Sequence, residues 1–177
     1  SVADTLIAKL DWRIRQLRVG DPLDKNTDVG AINSRAQLEK IREMTAYGVE
    51  EGAHLHQSQC ALPAKGFFFP PTYFTEVAQS HRIAREEIFG PVLAVMTFRT
   101  ADEAIEKANN LAYGLSAGVW TGKGAKVFAM TKRPQARVNL RDMKPTFRRG
   151  LVAPVKERGF GLAEGDVSKT AAVTNGV

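Results

Sequence analysis

The sequence predicts an α/β fold: an open, mainly parallel sheet with flanking helices. Three observations lead there. From residue 85 onward the pattern runs strand, helix, strand, helix, strand, and crossover helices set such strands parallel. The runs at residues 92–98 and 115–121 are apolar almost throughout, as strands covered on both faces are. The 177 residues, 44% hydrophobic and 25% charged, suit one ordinary domain with a sizeable core. Ligands of such sheets sit beyond the strands' carboxyl ends.

Each element has its own signal. Residues 2–17 form an amphipathic helix on Val2, Leu6, Leu10, Ile14 and Leu17, closed by Arg13, Arg15, Arg18 and then Gly20. Residues 20–33 are a loop rich in Asp, Asn, Gly and Pro. Asn33 or Ser34 caps the next helix, which carries Leu38, Ile41, Met44 and Ala46 and ends near residues 48–52. Residues 53–57 are a short strand. Pro70 and Pro71 cannot donate to a ladder, so the aromatic stretch 67–74 reads as an edge strand or an extended crossing segment. Residues 80–86 are a brief helical turn. Thr100 and Glu103 make a capping box for a helix over 101–109. A further helix spans 123–132, and residues 135–140 form a last strand.

Composition excludes several classes. No apolar run approaches the roughly 18 residues of a membrane helix, and residues 1–4 are not a signal peptide. The chain starts without Met inside a helical pattern, as a processed product or a fragment would. One cysteine, Cys60, rules out an internal disulfide framework and fits a reducing, cytoplasmic location. Net charge is +6, and the whole excess lies in residues 131–177, with ten basic and four acidic groups. That tail (Lys132, Arg133, Arg137, Arg141, Lys144, Arg148, Arg149) has only Phe147 for base stacking. It reads as a solvated or partner-facing surface before it reads as a nucleic-acid contact.

Most chemistry-bearing residues have plain readings. Cys60 reads as a loop thiol without a role, and His81 as a polar turn residue. His54 and His56 share a strand face but have no acidic or thiol partner at ligand spacing, so no metal site is assigned. The glycines at 159, 161 and 165 miss dinucleotide-loop spacing by one residue, and no strand clearly precedes them.

The stretch 85–92 stands apart: three charged residues, an apolar pair, a Gly-Pro turn, then a strand. Glu87 could accept paired hydrogen bonds from a ribose diol, and Phe89 could give a flat apolar surface to a cofactor ring. Glu86 and Glu87 could equally end a helix, with Phe89 in the core. From spacing alone that second reading stands ahead.

Glu86-Glu87-Ile88-Phe89-Gly90-Pro91-Val92 closely resembles the EEIFGPV motif of NAD(P)-dependent aldehyde dehydrogenases. Gly20-Asp21-Pro22-Leu23-Asp24 resembles their GDP(L/F)D loop. Gly30 and Asn33 resemble a G-P-x-N segment, with Ala31 for the usual Pro. Residues 66–72 resemble GYFxxPT, residues 104–115 and 117–120 the following helix, turn and strand, and residues 155–161 the late YKESGxG segment. Residues 96–100 resemble the subfamily with tandem dehydrogenase domains. The resemblance covers nearly the whole chain.

It implies an aldehyde dehydrogenase catalytic-domain type of fold, in part: residues 1–150 as catalytic domain, and 151–177 as late motif with a tail or oligomerisation segment. It implies that Glu87 binds the nicotinamide ribose hydroxyls and that Phe89 packs near the ring, with NAD or NADP as cofactor, not bound stably by this chain alone, and a small aldehyde as substrate in the full enzyme. The family oxidises aldehydes to acids through a cysteine thioester. Its nucleophile, general base and cofactor domain correspond to chain upstream of Val2, so no catalytic residue is assigned here and the chain alone is expected to be inactive. Its partners would be the remainder of the dehydrogenase or like subunits in a homo-oligomer. Residues 137–154 depart from the family's substrate loop. The rival readings are a non-catalytic interaction module, whose basic tail meets an acidic partner or nucleic acid, and an assembly module.

Overall fold

The computed structural model describes residues 2–113 and the backbone of three strands, 117–121, 138–142 and 148–151. The described residues up to Thr97 belong to one compact unit, and the described residues from Phe98 belong to another.

The first unit holds α1 (Val2–Ile14), α2 (Arg35–Glu50), β1 (His54–Gln57), β2 (Thr72–Thr75), α3 (Arg82–Arg85) and β3 (Val92–Ala94). Ser34 starts α2: its backbone is extended, and its Oγ accepts the Gln37 N–H at 3.1 Å. That satisfies one of the orphan donors of the first turn. The helix then runs past Gly48 to Glu50, although an interior glycine costs about 1 kcal/mol against alanine. Packing explains the glycine. A Cβ on Gly48 would lie 3.0 Å from both Phe74 and Ile83, so α2 sits there at backbone distance.

The sheet order is β1-β2-β3, with β1 antiparallel and β3 parallel to β2. The expected edge or crossing segment at 67–74 is therefore corrected. Its strand is only Thr72–Thr75, and it is the central strand. Pro70 and Pro71 fall just before it, where their missing N–H groups cost no ladder bond, and the Pro71 carbonyl accepts from Ser58 N–H at 2.9 Å.

Alternation along β2 feeds both faces. Phe74, fully buried, joins Leu38, Ile41, Met44, Ile83, Ile88 and Ala94 in one core. Tyr73, 1% exposed, points the other way and its hydroxyl donates to Asp11 of α1 at 3.3 Å. The apolar run expected at 92–98 is a strand only over Val92–Ala94, half-buried until Ala94.

The second unit holds α4 (Ala101–Asn109), β4 (Ala117–Thr121), β5 (Val138–Asp142) and β6 (Arg148–Leu151). β4 and β5 run parallel, as crossover patterning predicts, and β6 pairs antiparallel with β5. The capping box at α4 has a shifted return bond. Thr100 Oγ1 accepts the Glu103 N–H at 3.2 Å, while Glu103 Oε2 accepts from Arg99 N–H at 2.8 Å, one residue before the cap. The helix expected at 123–132 lies outside the described residues, as do the late glycines and the segments 155–161 and 166–177.

Candidate functional site

The stretch 85–92 is assembled from both sides. α3 ends when Glu86 turns extended, its N–H still bonded to the Arg82 carbonyl at 2.8 Å. Ile88, 3% exposed, plugs the core. Gly90 lies against α2 so closely that a Cβ would be 2.5 Å from Ile41 Cδ1. Val92 N–H donates to the Gly90 carbonyl at 2.7 Å, the three-residue bond of a γ-turn centred on Pro91. The proline ring holds φ near the value the inverse form needs. The Pro91 carbonyl then accepts from Thr72 N–H at 2.9 Å, which ties the loop's exit to β2.

Phe89 is the anomaly. Its φ is +55°, in the left-handed region where a bulky residue is an outlier costing on the order of 1–3 kcal/mol. The residue is 54% exposed. The reading that put Phe89 in the core is thus not the arrangement found, because Ile88 takes that place. A single exposed ring is ordinary. Exposure and a left-handed backbone at one aromatic residue are two costs together, the pattern of ligand-facing positions.

Glu87 stands beside it, half-buried, and its carboxylate has no partner among the described residues. A carboxylate without such a partner keeps both oxygens available as acceptors.

Sequence reading missed Gln37. Its Nε2 donates to the Ile88 carbonyl at 2.8 Å and to the Phe89 carbonyl at 3.1 Å. The two segments lie about fifty residues apart in sequence, so no local pattern reports the contact. The one available hint was the Ser34 cap, which fixes the first turn on which Gln37 sits.

The remaining candidates are placed elsewhere. His54 and His56 do share a face of β1, with ring centroids 4.5 Å apart. His56 stacks on Tyr73 at 4.3 Å and bonds Thr75 Oγ1 through Nε2 at 2.9 Å. Burial, then the neighbouring His54, hold its pKa below the usual imidazole value. Among the described residues no three His, Cys, Asp or Glu side chains converge. Cys60 is a half-buried free thiol. Arg141 lies opposite Arg148 across β5 and β6, and the rest of the basic tail, Arg149 backbone apart, lies outside the described residues.

Comparison with known proteins follows the same outline. The aldehyde dehydrogenase family profile matches residues 1–166. The cytosolic 10-formyltetrahydrofolate dehydrogenase of Xenopus tropicalis is 35% identical over 98% of the chain and 20% of that protein. The betaine aldehyde dehydrogenase of Brucella anthropi is 37% identical over 82% of the chain and 31% of that protein. Among solved structures, the NAD-dependent aldehyde dehydrogenase of Sinorhizobium meliloti superposes with a TM-score of 0.75 at 35% identity, over 86% of the chain and 31% of its own. An aldehyde dehydrogenase of Bacillus cereus in complex with NAD+ superposes at 0.73 with 33% identity, over 84% and 31%. The chain spans a fifth to a third of the length of these relatives.

Proposed function

The chain belongs to the aldehyde dehydrogenase family, and we propose that it forms one wall of the nicotinamide-dinucleotide site in an enzyme that oxidises aldehydes to carboxylic acids. The observation that carries this reading is the exposed, left-handed Phe89 beside the Glu87 carboxylate, which has no partner among the described residues. Two carboxylate oxygens can take both hydroxyls of a ribose diol in charge-assisted bonds. Covering the exposed half of the Phe89 ring with a planar cofactor ring would remove about 100 Å² of apolar surface. At about 25 cal/mol per Å² that is worth roughly 2–3 kcal/mol, enough to offset the backbone cost. The bound dinucleotide supplies the hydride acceptor; this chain's residues bind and orient it.

On this reading Glu87 and Phe89 are cofactor-binding residues and the chain holds none of the nucleophilic machinery. It works joined to, or assembled with, the remainder of a dehydrogenase, including like subunits, and does not oxidise aldehydes alone.

A chimera tests it: this chain in place of the matching segment of the Brucella anthropi betaine aldehyde dehydrogenase. NAD+-dependent aldehyde oxidation is expected. Glu87→Gln in that chimera should lower kcat/KM for NAD+ by about 10- to 100-fold, the worth of one charge-assisted hydrogen-bond pair. Unchanged kinetics in Glu87→Gln would remove the assignment.

A further inference from the structure

We propose that Gln37 is a positioning residue for the cofactor wall: its side-chain amide holds the Ile88 and Phe89 carbonyls, keeping Phe89 left-handed and outward with Glu87 beside it. The proposal rests on reading Glu87 and Phe89 as that wall.

The argument starts at the Ser34 cap. Its bond to the Gln37 N–H, 3.1 Å, fixes the first turn of α2 and so the root of the Gln37 side chain. From there one nitrogen with two N–H groups reaches two successive carbonyls, at 2.8 and 3.1 Å. No other donor among the described residues reaches either carbonyl. Ile41 lies four residues on, on the same face of the helix, and meets Gly90. One helix face therefore grips three consecutive loop residues, the first two by polar bonds and the third by apolar contact.

Between these grips the Phe89 side chain has one way to go. Ile88 is committed to the core, Gly90 has no room for a side chain against Ile41, and the two carbonyls are turned toward α2. Phe89 is thereby left at φ +55° and directed away. A left-handed bulky residue persists only when its surroundings over-determine it, and Gln37 is the polar half of that constraint. Glutamate at this position has no N–H to offer, and asparagine is one methylene short. The side chain acts through the loop, which is why its role is positioning.

The test uses the isotope-labelled 177-residue chain and Gln37→Met, which keeps the shape and removes both donors. The one-bond Cα–Hα coupling of Phe89 reports the sign of φ without ligand. It should move from the positive-φ to the negative-φ value in the variant, with falling heteronuclear NOEs over residues 87–90 and unchanged shifts at Met44 and Thr45. NAD+ is then titrated with saturation-transfer detection, and its affinity should fall about tenfold, the worth of two neutral hydrogen bonds. A Phe89 that keeps positive φ and ordered amides in Gln37→Met overturns the proposal. Should that variant fail to fold, Gln37→Asn carries the same test. Glu87→Gln is measured alongside. If it loses NAD+ while Gln37→Met retains both φ and affinity, positioning fails and the wall reading stands. If Glu87→Gln changes nothing, the wall reading fails, and the ligand-free coupling still decides the role of Gln37.

Discussion

At the scale of single residues, the loop 87–90 assigns opposite energetic roles to neighbours. Ile88 is core, so Ile88→Ala should cost about 2–5 kcal/mol of stability through lost burial and a cavity. Phe89 is exposed and left-handed, so Phe89→Gly should leave stability unchanged or raise it by up to about 1 kcal/mol, since glycine accepts positive φ. Denaturant melts of the two variants check this contrast directly, and equal losses would contradict the loop geometry. The sequence exposed the stretch as unusual but could not sort these two residues. Both are large and apolar, and only the turn chemistry of Pro91 and the tight seat of Gly90 decide which one enters the core.

His56 gives a residue-scale pH prediction. Its pKa is depressed by burial and by His54, so the folded chain resists protonation there. The unfolded chain takes up the proton first, near pH 6.5. The contribution is therefore complete above about pH 6.5 and is lost as pH falls below it toward the depressed folded value. Tyr73 acts at the other end. Burial and Asp11 raise its pKa, so its contribution is present below about pH 10 and lost above it. Melting temperature should fall between pH 7 and 5, and His56→Gln should flatten that slope. An identical slope in the variant would contradict the stacked arrangement of His56 on Tyr73.

At the scale of elements, the helices were largely legible and the sheet was not. Ser34, Thr100 and the periodic apolar residues marked α2 and α4 closely, because caps and helical periods are local. α2 ends at Glu50, within the expected range, having passed Gly48, which is a packing residue by position. Gly48→Leu should destabilise by about 1–3 kcal/mol through overpacking against Phe74 and Ile83, read as a lower denaturant midpoint with an unchanged slope. The central place of β2 was hidden because prolines just outside a strand look like prolines within one. β6 was missed for a related reason: Arg148 and Arg149 carry no apolar alternation, and pairing with β5 is a non-local fact.

At the scale of the whole molecule, the α/β class and the family were legible, since strand–helix alternation and the 86–92 motif are both written contiguously. The proposed site was legible only in part. Glu87 and Phe89 stood out as residues, whereas Gln37, which ties the Ile88 and Phe89 carbonyls to α2, joins the loop across half the first unit's sequence. Several apolar side chains stay exposed, among them Val2, Trp12 and Leu23, and the chain spans at most about a third of the relatives compared. The central claim is that residues 87–89 face a nicotinamide ring and its ribose. Intermolecular NOEs between NAD+ and the 177-residue chain test it most directly. The account predicts contacts from the Phe89 ring protons to nicotinamide protons, lost in Phe89→Ala. Contacts confined to the adenine end, or nicotinamide contacts that survive Phe89→Ala unchanged, would contradict it.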